Sequence, residues 1–334
     1  MIKYFLTPAF FLVGAIAFAQ EKPATDIVAA NKKLGRGMNI GNALEAPKEG
    51  DWGVTLKAEY FQAIKEAGFD TVRLPVKWSA HAKADAPYTI DKPFAERIDW
   101  AVDQALKNKL NIIVNVHHYG EMDSNPDKHL PRLVALWEQI AERYKDRPAE
   151  VYFELLNEPH EKLVEAKWNA AIPKILAAVR KSNPSRPVIV GPAFWNAIWA
   201  LEKLQLPNDR NLILTVHNYD PFEFTHQGAS FVKGAEKWKG RKWPQSDEEQ
   251  AAIRKTLDQA AAWAKKHDRP VFLGEFGVYQ EADMESRARW TKFLAREAEM
   301  RNFSWAYWEF CAGFGVYDPK TDAWHAALKA ALIE

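Results

Sequence analysis

The sequence predicts a single-domain (β/α)8 barrel. Two observations carry this. Eight short apolar segments alternate with helical ones, which implies parallel strands, and eight such units close into a barrel. Polar residues end almost every predicted strand, whereas a doubly wound open sheet, the alternative, would gather its site at one crevice. The 334 residues show no linker, low-complexity run or appended domain.

The elements follow in order. Residues 1–19 read as a signal peptide: Lys3 supplies the positive end, Phe5 to Phe18 the apolar stretch, and Ala17-Phe18-Ala19 a small-x-small cleavage site. The apolar run is short for a membrane anchor, and no Cys follows it to carry a lipid. A secreted or periplasmic protein beginning at Gln20 is expected, with no membrane association after cleavage. Residues 20–33 read as a polar arm. Arg36 to Gly41 form a first strand, and Asn42–Glu45 with Gly50–Gly53 a loop. Thr55 caps a helix to Ala67, ended by Gly68. Strands follow at 71–76, 111–116, 151–156, 187–191, 212–216, 271–275 and 303–308. Helices span about 92–107, 128–144, 161–181, 248–266, 284–300 and 322–333. A long loop at 220–246 carries Phe222, His226, Phe231, Trp238 and Trp243.

Composition excludes some classes. A formal net charge of +1, falling to zero once Lys3 is removed with the leader, offers no basic field for nucleic acid or anionic membrane. The single cysteine, Cys311, allows no intramolecular disulfide, so stability rests on the core. The 14 Trp, 18 Phe and 10 Tyr fit a large aromatic core. Those in loops after strands equally fit stacking on sugar rings.

Two strand ends carry carboxylates. Pro159 has no N–H and stops the fourth strand, leaving Asn157 and Glu158 at its end. The seventh strand ends on Glu275 before Gly277. In a barrel all strand ends share one face, so Asn39, Arg73, His117, Asn157, Glu158, His217, Tyr219, Glu275 and Trp308 converge. A pair of carboxyl groups suggests glycoside hydrolysis. Glu154 lies roughly 13 Å deeper than Glu158 and reads as a buried partner of Arg73, whose own role is either that or functional. Adjacent His117 and His118 point to opposite faces and lack a carboxylate at ligand spacing, so no metal is expected.

On these residues the chain resembles glycoside hydrolase family 5. The carrying motifs are Arg73 in Thr71-Val72-Arg73-Leu74-Pro75, His117 in Val116-His117-His118-Tyr119, Asn157-Glu158-Pro159, His217-Asn218-Tyr219, Gly274-Glu275-Phe276-Gly277 and Trp305 to Phe310. The opening 36–45 and Phe224–Gly228 are similar to an endoglucanase branch that also acts on mannan. The resemblance implies a retaining endo-β-1,4-glycanase for cellulose-like and mixed-linkage glucans, with a β-mannanase as alternative and a silent carbohydrate-binding barrel disfavoured. It implies Glu158 as acid/base, Glu275 as nucleophile, and Arg73, His117, Asn157, His217 and Tyr219 around them. It implies Trp308 as the floor of the first sugar site. Asn42, Glu45, His118, Trp195, His226, Phe231 and Trp243 are candidate substrate contacts, the aromatic ones equally readable as packing. Arg73 and Tyr219 are expected to lower the pKa of Glu275, whose charge would raise that of Glu158. The expected partner is a polysaccharide, with no cofactor, and the expected state is monomeric.

Overall fold

Apolar segments too short for helices form eight strands: β1 (Arg36–Asn39), β2 (Thr71–Leu74), β3 (Asn111–Asn115), β4 (Val151–Glu154), β5 (Val188–Val190), β6 (Leu212–His217), β7 (Val271–Glu275) and β8 (Ser304–Tyr307). Every neighbouring pair is parallel and β1 pairs with β8, so the sheet closes into a barrel without an edge. The computed structural model describes Met1 and residues 26–334. Apart from Met1, the expected signal peptide, and with it the new terminus at Gln20, lies outside the described residues.

The helices are α1 (Ile27–Leu34), α2 (Ala58–Glu66), α3 (Lys92–Lys107), α4 (Pro126–Tyr144), α5 (Glu165–Ser182), α6 (Asp247–His267), α7 (Met284–Met300) and α8 (Ala326–Ile333). Helices α2 to α7 each cross between consecutive strands and bury an apolar stripe on the barrel. The β5–β6 crossover has no long helix but a four-residue turn, Ala193–Asn196, and a 3₁₀ turn, Ile198–Lys203, with Trp199 exposed on the latter.

Three stretches depart from expectation. The supposed polar arm contains α1, which plugs the bottom of the barrel. Asp26 caps it by accepting from the backbone N–H groups of Val28 and Ala29. Ala30 and Leu34 then pack against Ile113, Tyr152, Ile189, Ile213, Phe272 and Ala306, the inward side chains of six strands. Thr55 caps nothing: Leu56 is held extended by Glu49 and Arg97, and α2 starts at Ala58. The last helix starts at Ala326, because Ala323–Trp324 pairs with Tyr317–Asp318 and the Trp324 ring stacks on Phe69.

Strand alternation carries this inner column upward. Two residues above Ile113, Tyr152, Ile213 and Phe272 stand Asn115, Glu154, Thr215 and Gly274, all buried. The barrel interior is therefore apolar below and polar above, and the polar end opens into a cleft of about 1310 Å³.

Candidate active site

The polar layer is organised by Arg73, which β2 buries completely. Its guanidinium grips Glu154 with two bonds, from Nε at 2.6 Å and Nη2 at 2.7 Å. It also donates to Asn39 at 2.9 Å, to Glu275 at 2.7 Å and to Asn157 at 2.7 Å. Both readings of Arg73 hold: it neutralises a buried structural carboxylate and touches the candidate nucleophile. Burial opposes its charge, but Glu154 and Glu275 hold its pKa above the ordinary arginine value. An isolated buried Glu154 would be costly; here two of the five guanidinium hydrogen bonds go to Glu154 and the other three to Asn39, Glu275 and Asn157. Because Asn157 accepts from Arg73 through Oδ1, its Nδ2 is left to donate into the cleft.

Glu275 is 4% exposed and accepts two side-chain bonds, one from Arg73 and one from the Tyr219 hydroxyl at 2.9 Å. Burial pushes the Tyr219 phenol well above its usual range, so it stays a donor. The expectation of a lowered Glu275 pKa is corrected. Burial raises it, with His217 and Arg73 pulling back and Glu158 pushing further up. Two donors keep the carboxylate in place despite that burial.

Glu158 sits just past β4 in left-handed backbone, φ 46°, which turns its side chain off the strand line. Its pKa is raised to about 7, chiefly by burial and against the pull of Arg73 and His160; Glu154 adds to the rise. Glu275, the expected cause, is not among the causes. His217 Nδ1 lies 2.7 Å from Glu158 Oε1 and 3.7 Å from Glu275 Oε2. Burial lowers His217 to about 4, so the ring is neutral at pH 7. The Asn196 amide Nδ2 lies 3.3 Å from its Nε2. With that nitrogen accepting, the ring proton is on Nδ1 and is donated to Oε1, leaving the carboxyl proton to the other oxygen of Glu158.

His117 is fixed in the same way. Asn115 Oδ1 accepts from the Val76 N–H at 3.2 Å, so its Nδ2 faces His117 Nδ1 at 3.1 Å. The imidazole proton is therefore on Nε2, which lies 4.0 Å from Glu275. Burial, with the charges of His118, Arg73 and His217, holds His117 well below its usual value, so it is a neutral donor. Its ring stacks on Trp308 with centroids 5.5 Å apart at 10°. Trp308 in turn lies over Gly41, where a Cβ would meet the indole at 2.8 Å. At Gly277 a Cβ would meet the Trp308 carbonyl oxygen at 1.9 Å. Those glycines are backbone approaches that let an aromatic floor sit against the nucleophile strand.

The outer residues divide. Asn42, Glu45, His118, Trp195, His226 and Phe231 all line the cleft. Glu45 is no surface charge: it is buried, accepts from the Asn42 and Ala43 N–H groups, and burial raises it to about 8. It shapes the loop that presents Asn42. Burial lowers His226 to about 4, and its ring stacks on Phe222 at 4.0 Å. Trp243 is corrected: it is 1% exposed, packs on Phe293 in the core, and is absent from the cleft lining. Its loop folds back over α7, where Arg289 and Ser286 bond its backbone.

Sequence reasoning missed Asn115 and Asn196, which set imidazole tautomers, and His160, whose Nδ1 bonds the Glu158 carbonyl at 2.6 Å. A polar Asn inside the apolar run of β3 was the available signal for the first. Asn196 and His160 carry no local pattern.

One ligand atom each from Glu158, His217 and Glu275 lies within 4.8 Å of the others. Such a trio could hold a metal, but the Arg73 charge beside Glu275 repels a second cation. The same closeness sets the carboxyl pair nearer the roughly 5–5.5 Å of double-displacement glycosidases than the roughly 6.5–9.5 Å of inverting ones.

Comparison with known proteins fits this geometry. Endoglucanase H of Acetivibrio thermocellus is 37% identical over 83% of this chain and 30% of its own length. The cellulase/esterase CelE of the same organism is 31% identical over 91% of this chain and 38% of its length. This chain thus spans about a third of those two curated relatives. Crystal structures of Thermotoga maritima Cel5A superpose over 92% of this chain and all of theirs, with a TM-score of 0.91. The mannotriose complex is 50% identical and the cellobiose complex 51%. Residues 31–313 match the cellulase family, glycosyl hydrolase family 5. With the barrel, the two strand-end carboxylates and the guanidinium that bonds Glu275 in place, the chain belongs to that family of glycoside hydrolases.

Proposed function

We propose that this chain is a retaining endo-β-1,4-glycanase acting on β-1,4-glucan and mixed-linkage glucan, with weaker action on glucomannan and mannan. One observation carries it. Two carboxyl groups converge across an open cleft, one held by two donors and the other raised to about 7. Glu275 attacks the anomeric carbon as the protonated Glu158 gives its proton to the departing glycosidic oxygen. The Glu275 ester then breaks as water attacks the same carbon and Glu158, now a carboxylate, takes the water's proton. Asn157 Nδ2 and His117 Nε2–H are the free donors for hydroxyls of the reacting sugar, and Trp308 is its floor.

The substrate reading rests on the relatives. Both a cellobiose and a mannotriose complex are known for Thermotoga maritima Cel5A, so a mannan-cutting alternative stands beside the glucan one. The test is initial kcat/KM on barley β-glucan, carboxymethyl-cellulose, glucomannan, galactomannan and xylan. The expected order is glucans first and xylan last. Galactomannan well ahead of barley β-glucan would overturn the ranking, and no cleavage of any of them would overturn the function.

A further inference from the structure

We propose that Trp199 and Phe194 form a distal leaving-side platform for a β-linked pyranose, beyond the sugar that Trp195 would carry; this rests on the glycanase reading above. The cleft, at about 1310 Å³, exceeds the roughly 300–1,000 Å³ of a single small-molecule site. It therefore has room for several sugar units. Among the described residues the exposed tryptophans are Trp52, Trp195 and Trp199, and all three line this cleft. Trp52 stands beside His118, edge-on at 5.7 Å. The other two stand on the side of Glu158, the group that protonates the leaving oxygen.

A chain of contacts leads outward on that side. The His160 ring, tied to the Glu158 carbonyl, stacks on Trp195 with centroids 4.9 Å apart at 19°. Trp195 is thereby braced on one face and 52% exposed. Phe194, Trp195 and Asn196 all adopt left-handed backbone, with φ of 59°, 59° and 55°. Bulky residues hold that conformation only when their surroundings enforce it. Here the buried Asn196 amide, docked on His217, pins the run, and the two aromatic rings before it line the cleft. Phe194 packs against Trp199 with centroids 5.0 Å apart at 34°. Trp199, on the 3₁₀ turn, is 59% exposed. An indole braced by a phenyl ring and open to solvent offers an apolar face of the kind that stacks on the C–H face of a pyranose.

The edge of such a sugar needs hydrogen-bond partners. Helix α6 packs against the 3₁₀ turn and brings Thr256 and Gln259 into the cleft wall. Both are neutral, as is the expected ligand. The occupant is the continuing polysaccharide chain, since the platform is continuous with the cleft that holds Glu158.

The test compares substrates that do and do not reach the platform. Trp199→Ala removes an exposed ring, so folding does not depend on it. Its kcat/KM on cellohexaose should fall about three- to tenfold, while that on an aryl β-cellobioside, whose leaving group ends at the first position, stays unchanged. Trp199→Phe should recover most of the loss. With cellopentaose labelled by ¹⁸O at the reducing end, cleavage should shift toward that end, as fewer sugars are held on the leaving side. An unchanged cellohexaose rate, an equal loss on both substrates, or a shift toward the non-reducing end would each refute the platform. Wild-type enzyme inert on both substrates would instead refute the glycanase reading, and the platform with it.

Discussion

Replacing Tyr219 by Phe removes one oxygen and little else. That oxygen is the hydroxyl that donates to Glu275 Oε2 at 2.9 Å. The proposed mechanism requires Glu275 ionised at rest, with Tyr219 a neutral donor to it, which makes the bond charge-assisted and worth about 1.5–3 kcal/mol. It favours the ionised form; its loss favours the protonated one. At 1.36 kcal/mol per pH unit the Glu275 pKa should rise by about 1–2 units. Glu275 must be ionised to attack, so the acid limb of the kcat/KM profile should move up by that amount. The basic limb, set in the free enzyme by Glu158 at about 7, should stay where it is. The bell then narrows from its acid side. The assay is kcat/KM on an aryl β-cellobioside between pH 3 and 9 for both proteins. A profile scaled down with both limbs in place, or one whose basic limb moves, would refute the role given to Tyr219.

Two further outcomes are expected. Glu158→Ala should lose turnover on cellohexaose by about 10²–10⁴-fold, yet keep the first step for aryl glycosides with good leaving groups; azide should then accelerate turnover and yield a β-glycosyl azide, and an absence of any azide product would sink the acid/base assignment. Secreted protein should begin at Gln20 by intact mass, as the Ala17-Phe18-Ala19 site implies; a mass retaining residues 1–19 would contradict the leader reading.

The barrel was legible because each strand is a short apolar run ended by a turn residue or a polar one. The candidate carboxyl pair was legible because Glu275 closes β7 just before Gly277 and Glu158 precedes Pro159 in the loop after β4. What escaped was mostly what depends on partners distant in sequence. The α1 helix was missed although Asp26 before Ile27-Val28-Ala29-Ala30 is a capping signal, because Asn31, Lys32 and Lys33 interrupt its short inward stripe of Ile27, Ala30 and Leu34. Trp243 and Phe231 sit in one aromatic loop and read alike, yet one is core and the other 65% exposed in the cleft. The net direction of the Glu275 shift depended on how far burial outweighs Arg73, a balance that a residue list does not contain. Asn115 and Asn196 act only through the imidazoles they face.

The central claim is that Glu275 becomes covalently bonded to the sugar. Incubation with 2-deoxy-2-fluoro-β-cellobiosyl fluoride slows both steps but spares the first through its fluoride leaving group, so the intermediate accumulates. Intact mass should rise by a single fluorocellobiosyl unit, and peptide mapping should place it on Glu275. A label on Glu158, or full competitive inhibition without any mass increase, would contradict the account.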